Sequence, residues 1–359
     1  MARILYTVNG EGMGHAVRSS VVIEYLKQKN HDIVVVSGGR AFDFLSKRFS
    51  DVYDIECYNI VYKNNRAMNI DTLFLNAKKF PKIIVKNFNR LFSVMIKFKP
   101  DIIITDFEPF SNFISKFFGI PVIAIDNISI INKARIKSPP NEISSFLTAV
   151  FVTKTLVKID ADKYIIPTFF YPKLKDSQKC VFVSPVIREE ILRIKTSKKK
   201  HILVYQTSPS NKELLKTLKR IRYKFIVYGF DKEKTEKNIV FKKFNEKRFI
   251  KDLATSKGVI VNGGFSVISE ALYLKKPILS IPIRNQFEQI LNANYVKMLG
   301  YGDFSYSATK EAIENFLKRL NSFESVLKDY KHDNNKKLFI EVDKAIKELL
   351  KNKNKKQKK

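Results

Sequence analysis

Short aliphatic runs, each followed by a turn and a helical pattern, recur along both halves of this 359-residue chain. In the first half these runs are RILYTV (3–8), DIVVVS (32–37), DIIIT (101–105) and VIAID (122–126). The second half repeats them as HILVY (201–205), FIVYGF (225–230), GVIVNGG (258–264) and PILSIP (277–282). Because these runs lack polar alternation, they predict parallel strands that are buried on both faces. Repeated strand–helix–strand units predict an α/β chain with doubly wound sheets.

The strand–helix rhythm weakens only in the middle of the chain. Prolines in SPP (138–140) and PTFFYP (167–172) interrupt it, and the basic run KTSKKK (195–200) precedes a fresh strand. We therefore predict two Rossmann-like domains facing across a cleft. Their bounds are 1–195 and 196–322, followed by a helix over 323–350, whose apolar stripe is Leu338, Val342, Ile346 and Leu349, and a disordered basic tail over 351–359.

The charge of the chain is strongly unbalanced, with 66 Lys and Arg against 35 Asp and Glu and a net charge of +31. Such an excess suits an anionic membrane surface or nucleic acid, or reflects a lysine-rich proteome. Lysines are spread along the chain, so nucleic acid is not expected as a partner. The basic amphipathic stretch within 60–99 either lies on anionic lipid or packs as an ordinary surface helix.

Cysteine and histidine usage argues against metal or disulfide chemistry. Cys57 and Cys180 form no CxxC pair, and the four histidines are scattered. The acidic pattern DAD (160–162) is short enough to arise by chance, and we expect a solvated loop there. The first apolar run is too short for a signal peptide, and no run approaches the length of a membrane span. We expect a cytoplasmic protein, either free or peripheral on the inner membrane face.

The first functional motif is NGEGMGHAVRSS (9–20), between a strand and a helix. Gly12 and Gly14 would let backbone N–H groups approach a phosphate at the helix N-terminus. A dinucleotide fingerprint requires a later third glycine and an acid after the second strand. Here the second strand ends in Ser37-Gly38-Gly39-Arg40. Only a 2′-phosphate on Arg40 keeps an NADP alternative open.

His15 follows this loop, at the sheet edge where open α/β folds bind ligands. Histidine titrates near neutral pH and serves as a general base. Asp106 ends another predicted buried strand and should reach the same edge, where it would fix the imidazole tautomer. The alternative is that His15 only caps the turn.

The second motif spans 261–302 and begins VNGGFSVISEALYL. A strand ends at Asn262, a glycine loop follows, and Ser266 begins a helix. That helix end predicts an anion site, and Glu270 one turn later suits a ribose diol. After the next strand, Glu288 and Gln289 form a polar pair at the same edge.

This motif resembles the donor-site signature of UDP-dependent glycosyltransferases with the GT-B fold, H-x-G-W-N-S-x-x-E followed by D-Q-x-x-N-A. The matching frame contains Asn262, Gly264, Phe265, Ser266, Glu270, Glu288, Gln289, Asn292 and Ala293. The chain also resembles the bacterial transferases that add N-acetylglucosamine to lipid I, whose first glycine loop likewise ends in Gly-His. The resemblance spans both halves.

The resemblance implies a role for each matched position. Glu270 would hold the ribose hydroxyls, and His15, backed by Asp106, would deprotonate the acceptor. The remaining donor contacts would be Gly264, Phe265 and Ser266 on the diphosphate, Thr207 and Ser208 near the phosphates, Phe244 on the uracil, and Glu288 and Gln289 on the sugar.

Two positions depart from that pattern. The family's phosphate-binding histidine is Asn262 here, so Arg284 or the helix dipole would have to meet the phosphate charge. The family's Asp-Gln is Glu288-Gln289.

The resemblance implies an inverting, metal-independent transfer of N-acetylglucosamine or another hexose from a UDP-sugar to an unidentified hydroxyl acceptor, with lipid-linked and glycan-linked acceptors as candidates. UDP-sugar is the substrate and no cofactor is expected. The alternatives are a UDP-sugar 2-epimerase of the same fold and a non-catalytic basic protein that binds membrane or nucleic acid.

Overall fold

The computed structural model describes residues 1–57, 62–63, 65–67, 80–157, 159–197, 199–207, 209 and 211–357. Its first half forms a seven-stranded parallel sheet in the order β3-β2-β1-β6-β7-β8-β9. The strands are β1 Arg3–Val8, β2 Asp32–Ser37, β3 Val52–Asp54, β6 Ile102–Asp106, β7 Val122–Ile125, β8 Lys163–Pro167 and β9 Cys180–Val183, with a separate hairpin of β4 Tyr62–Lys63 and β5 Arg66–Ala67.

The second half forms another seven-stranded sheet, in the order β12-β13-β11-β10-β14-β15-β16. Its strands are β10 Ile202–Tyr205, β11 Phe225–Tyr228, β12 Lys234–Glu236, β13 Ile239–Phe241, β14 Gly258–Val261, β15 Ile278–Ser280 and β16 Gly302–Phe304, and only the edge pair β12–β13 is antiparallel. The predicted pair of doubly wound Rossmann-like domains is confirmed. The predicted border near 195 falls between β9 and β10 and stays a prediction.

Helices cover both faces of each sheet. They are α1 Met13–Gln28, α2 Gly39–Leu45, α3 Phe80–Phe98, α4 Pro109–Phe118, α5 Ile130–Lys133, α6 Ile143–Phe151, α7 Glu189–Arg193, α8 Lys212–Leu218, α9 Glu246–Thr255, α10 Phe265–Tyr273, α11 Phe287–Met298, α12 Lys310–Lys318, α13 Leu320–Lys328 and α14 Lys336–Gln357. The central strands are buried along their whole length, as their uninterrupted aliphatic runs predict.

The order in which successive strands are added to the sheet reverses beside β1 in the first sheet and beside β10 in the second. β1 lies between β2 and β6, and β10 lies between β11 and β14. In open α/β sheets the ligand crevice opens at the carboxyl ends of the strands at such a reversal. Each domain therefore offers one such crevice.

The C-terminal segment differs from its prediction. Instead of one helix over 323–350 there are two, α13 and α14, separated where Asn334 and Asn335 adopt φ of 55° and 65°. This left-handed backbone ends a helical path, and asparagine tolerates it better than most residues. α14 continues to Gln357, although a disordered tail was expected from 351. Its predicted apolar stripe of Leu338, Val342, Ile346 and Leu349 is buried in the core of the first domain.

The predicted basic amphipathic stretch is the helix α3, and residues 68–79 before it lie outside the described part of the chain. One side of α3 packs into the core through Leu91 and Val94, while Val85 and Ile96 on the other side are exposed. Among the described residues, no helix combines the length and apolarity needed to cross a bilayer.

Candidate active site

The glycine loop after β1 brings the two domains into contact. Gly12 has φ +88° and immediately precedes α1. Gly14 lies in the first turn of α1, where its carbonyl oxygen accepts a hydrogen bond of 3.2 Å from Ser266 Oγ at the start of α10. A Cβ added at Gly14 would lie 2.9 Å from that Oγ atom. Two helix N-termini, one from each domain, therefore meet across the cleft, and their combined dipoles favour an anion there.

His15 and Asp106 lie together, as predicted from the position of His15 in the segment after β1 and of Asp106 at the carboxyl end of β6. His15 Nδ1 is 2.8 Å from Asp106 Oδ1. The Asp106 side chain is fully buried, whereas 15% of the His15 side chain is exposed, so the ring still reaches the cleft. This is the arrangement of an oriented imidazole base, whose carboxylate partner holds the ring and stabilises its cation.

Arg18 is a third member of this cluster that the sequence analysis missed. Its Nε and Nη2 donate to the two Asp106 oxygens at 2.6 and 2.5 Å, and Ser19 Oγ donates to Oδ2 at 3.0 Å. Burial alone would raise the pKa of Asp106, but the charges of Arg18 and His15 and their hydrogen bonds lower it. Arg18 is three residues after His15 on one helix face, and that spacing was a usable signal.

The Nδ1 atom of His15 has two neighbours, because Arg18 Nη2 also lies 2.7 Å from it. Arg18 can only donate, so Nδ1 either accepts from Arg18 or donates its proton to Asp106, but not both. Donation to the ionised Asp106 leaves the Nε2 lone pair free, which is the tautomer that a general base requires.

Two further carboxylates face this cluster. Asp126 follows β7 and accepts hydrogen bonds from the Ser129 backbone N–H at 2.6 Å and hydroxyl at 2.9 Å. Glu288, at the start of α11 in the other domain, is half-buried. Burial raises its pKa, while the charges of His15 and Arg18 oppose that rise. The structure thus brings Glu288 to the predicted base.

Asn262 is bonded within the protein on all sides. Its Oδ1 accepts from the Thr207 backbone N–H at 2.8 Å, and its Nδ2 lies 3.0 Å from Gln206 Oε1 and 3.2 Å from the Ile281 oxygen. It joins the loops that follow β10, β14 and β15. The side-chain amide of Asn262 therefore connects the loops that form the donor-side crevice, and its hydrogen bonds are made to the protein rather than left for a phosphate.

The glycine loop before α10 packs tightly against residues of α11. Gly263 has φ +143°, and a Cβ there would lie 2.6 Å from the Gln289 carbonyl oxygen. Asn292 Nδ2 donates to the Gly263 oxygen at 3.0 Å. Gly264 precedes the helix without a side-chain cap, so no side chain competes for its first N–H groups. Phe265 itself is buried, so its contribution to a ligand would be its backbone.

Glu270 is buried on α10 and bound by Arg188, a residue that the sequence analysis did not single out. Arg188 Nε is 2.7 Å from Glu270 Oε1, and Nη2 donates to Oε2 at 2.9 Å. Nothing near Arg188 in the sequence indicated this contact, which joins segments 82 residues apart.

The other predicted donor residues are placed as follows. Phe244 is 51% exposed, and its ring centroid lies 5.5 Å from that of Phe249, so it forms an aromatic shelf at the sheet edge. Gln289 bonds within its own loop, accepting from the Ile283 N–H at 3.1 Å. Thr207 follows β10, whereas Ser208 lies outside the described residues. All of these roles stay predictions.

A short segment of the first domain crosses to the second beside this crevice. The Ala67 N–H donates to the Arg284 carbonyl at 2.9 Å, and the Arg284 N–H donates to the Asn65 carbonyl at 2.9 Å. Asn65 Nδ2 also donates to the Pro282 carbonyl at 3.1 Å. This exchange of backbone bonds ties the hairpin β4–β5 to the loop that leads to Glu288.

The acids of the DAD pattern have separate partners. Asp160 pairs with Lys116 at 3.1 Å, and Asp162 accepts from the Val122 N–H at 2.8 Å. Across the described ranges, no three His, Cys, Asp or Glu side chains are grouped as metal ligands would be.

Comparison with known proteins gives one consistent result. The sequence model of Glycosyl transferase family 1 matches residues 2–321. A Methanosarcina mazei protein named as an uncharacterized glycosyltransferase is 26% identical over 386 residues, covering 97% of each chain. A Bacillus anthracis UDP-N-acetylglucosamine--N-acetylmuramyl-(pentapeptide) pyrophosphoryl-undecaprenol N-acetylglucosamine transferase 2 is 23% identical over 373 residues, covering 91% of this chain and 97% of its own.

Solved structures agree at the level of the fold. The calicheamicin glycosyltransferase CalG4 superposes with a TM-score of 0.66 at 14% identity and covers 97% of this chain and 98% of its own. The glycotransferase of kitacinnamycin gives 0.64 at 15% identity, covering 91% of this chain and 94% of its own.

Proposed function

The chain belongs to glycosyl transferase family 1 and is a glycosyltransferase of GT-B fold; from that premise we propose that it moves a hexose from a UDP-sugar to an acceptor hydroxyl, with inversion. One observation carries this proposal above the others. The Gly14–Ser266 contact places the N-terminus of α10 beside the His15–Asp106 pair. An anion site and an oriented base in one cleft are what transfer from a nucleotide-activated sugar requires.

The reaction would be one displacement at the anomeric carbon. The acceptor oxygen forms a bond to that carbon as the bond to the UDP oxygen breaks, and the acceptor proton passes to His15 Nε2. Asp106 stabilises the resulting imidazolium. The leaving diphosphate gains its negative charge at the N-terminus of α10, and we propose that this helix end and the loop amides carry the charge without a metal ion.

N-acetylglucosamine is the first sugar to test. The Bacillus anthracis relative is named as a transferase that uses UDP-N-acetylglucosamine and acts on a lipid-linked acceptor. Glu288 replaces the aspartate of the resembling signature and lies close to His15, so it suits a donor-sugar hydroxyl near the reacting carbon.

The decisive experiment is calorimetric titration with UDP, UDP-N-acetylglucosamine, UDP-glucose, GDP-mannose and NADPH, without added metal. We expect micromolar binding of UDP and of one UDP-sugar. Binding of NADPH alone would revive the dinucleotide alternative. Absence of binding by every nucleotide would refute the donor assignment.

The rival epimerase predicts a different product. Incubation of the bound UDP-sugar without an acceptor, followed by chromatography of the sugar nucleotide, separates the two reactions. A transferase leaves the UDP-sugar unchanged apart from slow hydrolysis to UDP and free sugar. A 2-epimerase converts it to a second UDP-sugar, and the appearance of that product would overturn transfer as the activity.

We also propose that the first domain docks on an anionic bilayer through a phenylalanine face, defined as Phe113 and Phe117 of α4 with Val85 of α3. These side chains are 62%, 63% and 59% exposed. Phe113 packs on Phe88 of α3, so the exposed rings form one surface with that helix. Monomeric proteins rarely leave large contiguous apolar patches in water. Basic residues on the same two helices would meet lipid headgroups. They are Arg90, together with Lys86 and Lys116, which pair with Glu56 and Asp160 and would exchange these exposed partners for headgroups.

Vesicle sedimentation tests this surface. The protein should sediment with vesicles of phosphatidylcholine and phosphatidylglycerol at low salt, and much less with phosphatidylcholine alone. Phe113→Ser with Phe117→Ser should reduce sedimentation at least several-fold, whereas the matched pair Ile340→Ser with Val326→Ser, also exposed, should not. Equal retention by both variants, or retention on nucleic acid only, would refute the phenylalanine face.

A further inference from the structure

The buried carboxylate of Asp106 is held by two hydrogen bonds from one guanidinium group. Arg18 Nε donates to Oδ2 at 2.6 Å, and Arg18 Nη2 donates to Oδ1 at 2.5 Å. Arg18 and Asp106 are 5% and 0% exposed, so the pair lies out of water. Two parallel bonds of this kind fix the plane of the carboxylate as well as its position. Ser19 Oγ donates a further bond to Oδ2, so Oδ1 is the oxygen that faces His15 Nδ1, 2.8 Å away.

Arg18 is surrounded by acidic groups from several elements. Besides Asp106 they are Asp126, which follows β7, and Glu288, at the start of α11. Burial opposes the charge of Arg18, but the negative charges of these three acids raise its pKa. Tyr6 of β1 also faces Asp106, and burial and that charge raise the pKa of Tyr6, so it stays a neutral phenol. Arg18 is thus a permanent cation among acids, since a guanidinium keeps its proton in proteins.

The protonation state of Asp106 decides which nitrogen of His15 carries the ring proton. Burial alone would raise the pKa of Asp106, and the charge of Arg18 is the strongest of the influences that hold it below its usual value. An ionised Asp106 can only accept, so it takes the Nδ1–H of His15 and leaves a lone pair on Nε2. With a proton on Oδ1, Asp106 would instead donate to Nδ1. The ring proton would then lie on Nε2, and His15 could not accept another from a substrate.

We propose that Arg18 is a positioning residue of the proposed base, which holds Asp106 ionised and in the plane where it accepts the Nδ1 proton of His15. This role rests on the proposed transfer reaction and goes beyond it by assigning the imidazole tautomer to a residue outside the His15–Asp106 pair. Arg18 acts through Asp106, because its own side chain is buried. Without Arg18 the cluster should bind a proton more readily, either on Asp106 or as imidazolium on His15. In both cases Nε2 carries a proton.

¹⁵N NMR of histidine-labelled protein reports the tautomer directly, because a bare and a protonated ring nitrogen differ in chemical shift. The chain has four histidines, and comparison with His15→Gln identifies the signals of His15. The wild type at pH 8 should show a protonated Nδ1 and a bare Nε2. In Arg18→Gln the midpoint of Nε2 protonation should rise by about 1–2 pH units, the size expected for the loss of hydrogen bonds to a charged group.

Arg18→Lys keeps a positive charge but cannot form both bonds to the carboxylate, so the midpoint should rise by a smaller amount. This variant serves where Arg18→Gln fails to fold, because it leaves no buried charge without a partner. Arg3→Gln is the matched control. It removes another arginine of the first domain, which begins β1 and pairs with Asp101 at 3.7 Å, and the midpoint should be unchanged.

Three results would overturn the inference. A wild-type His15 with its proton on Nε2 would mean that Nδ1 accepts from Arg18 Nη2, 2.7 Å away, and that Arg18 opposes the base. An unchanged midpoint in Arg18→Gln, or in Arg18→Lys where only that variant folds, would leave Arg18 as a support of the fold. A rise of the same size in Arg3→Gln would mean a general effect of net charge. These measurements use no nucleotide, so a failure of UDP binding would refute the proposed donor and leave the tautomer to be decided by NMR.

Discussion

Each domain has a seven-stranded sheet whose strand order reverses beside its first strand, but the side chains and backbone groups that line the two crevices differ in their chemistry. Beside β1 the crevice is built from charged side chains, with His15, Arg18 and Asp106 in direct contact. Beside β10 and β14 it is built mainly from backbone and amides, with Gly263 and Gly264 before an uncapped helix and Asn262 bonded to the loops after β10 and β15. Glu270, neutralised by Arg188, is the exception.

The difference follows from what each half must do in the proposed reaction. A proton acceptor has to change its charge during the reaction, so it needs partners that stabilise both of its states. A phosphate site needs fixed dipoles that are already oriented before the ligand arrives. Two similar scaffolds therefore serve different purposes through the residues at their strand ends.

Replacement of the proposed base tests most strongly whether the two crevices have different roles. His15→Gln should lower the transfer rate by roughly 10²–10⁴, because it abolishes proton acceptance. The UDP dissociation constant should stay within about 2-fold, since most of the proposed donor contacts lie in the other domain and those of the first domain are backbone groups of Gly12 and Gly14. His31→Gln is the control, a histidine bonded to the Ala2 N–H at 3.2 Å, and should retain full activity. Transfer within a few-fold of wild type in His15→Gln would disprove the base.

Buried charge should also make the stability of the first domain depend on pH. Glu108 caps α4 by accepting from the Phe110 and Ser111 N–H groups, and burial raises its pKa to about 7 from 4.5. The unfolded chain releases this proton near pH 4.5 and the folded chain only near 7. Proton binding by Glu108 therefore stabilises the folded state fully below pH 4.5. This stabilisation, about 3 kcal/mol of the free energy of unfolding, is lost as the pH rises through 7.

Urea unfolding followed by circular dichroism between pH 5 and 8 measures this loss. Glu108→Gln should flatten the decline, because it removes the titrating group. Glu213→Gln replaces an exposed acid in the first turn of α8, and its profile should match the wild type. An unchanged slope in Glu108→Gln would contradict the assignment.

A single methyl group added at Gly14 tests the contact between the two domains. Gly14→Ala would place Cβ 2.9 Å from Ser266 Oγ, so the Ser266 hydroxyl would rotate away and lose its hydrogen bond to the Gly14 carbonyl oxygen, at a cost of up to about 1.5 kcal/mol. We expect kcat/KM to fall by up to about 10-fold, the equivalent of that cost. In a Ser266→Ala background the same change should have little effect, because the opposing oxygen and its hydrogen bond are already absent. Additive effects in the double variant would show that the two helix ends do not meet during turnover.

The smallest expected effect concerns the aromatic shelf. Phe244→Ser should weaken UDP binding by about 1 kcal/mol, the lower end for stacking of a base on an aromatic ring. Affinity for inorganic pyrophosphate should not change, because it has no base. Val326→Ser changes another exposed apolar residue of the second half and should leave UDP binding unaltered. Equal loss of UDP and pyrophosphate affinity would argue against a base-stacking role.

Local sequence patterns predicted the part of the fold that depends on burial of strands. The runs around Ile103 and Ile260 are centred on consecutive apolar residues because both faces of a parallel sheet are covered. Residues just beyond such runs must lie at the carboxyl edge, so His15 and Asp106 could be paired from sequence. The glycine loops were visible for the same reason, since Gly12 and Gly263 adopt positive φ.

The sequence by itself thus determined the two sheets, the edge at which polar residues gather and the His15–Asp106 pair, because short-range periodicity encodes burial and direction. Only the tertiary structure decided the partners of buried charges. Arg188 contacts Glu270, which lies 82 residues away in the sequence, and the side-chain amide of Asn262 is hydrogen-bonded to a neighbouring loop. The physical reason is that a buried ion or amide takes whichever complementary group the packing brings within about 3 Å. Local sequence patterns do not indicate which group becomes that partner.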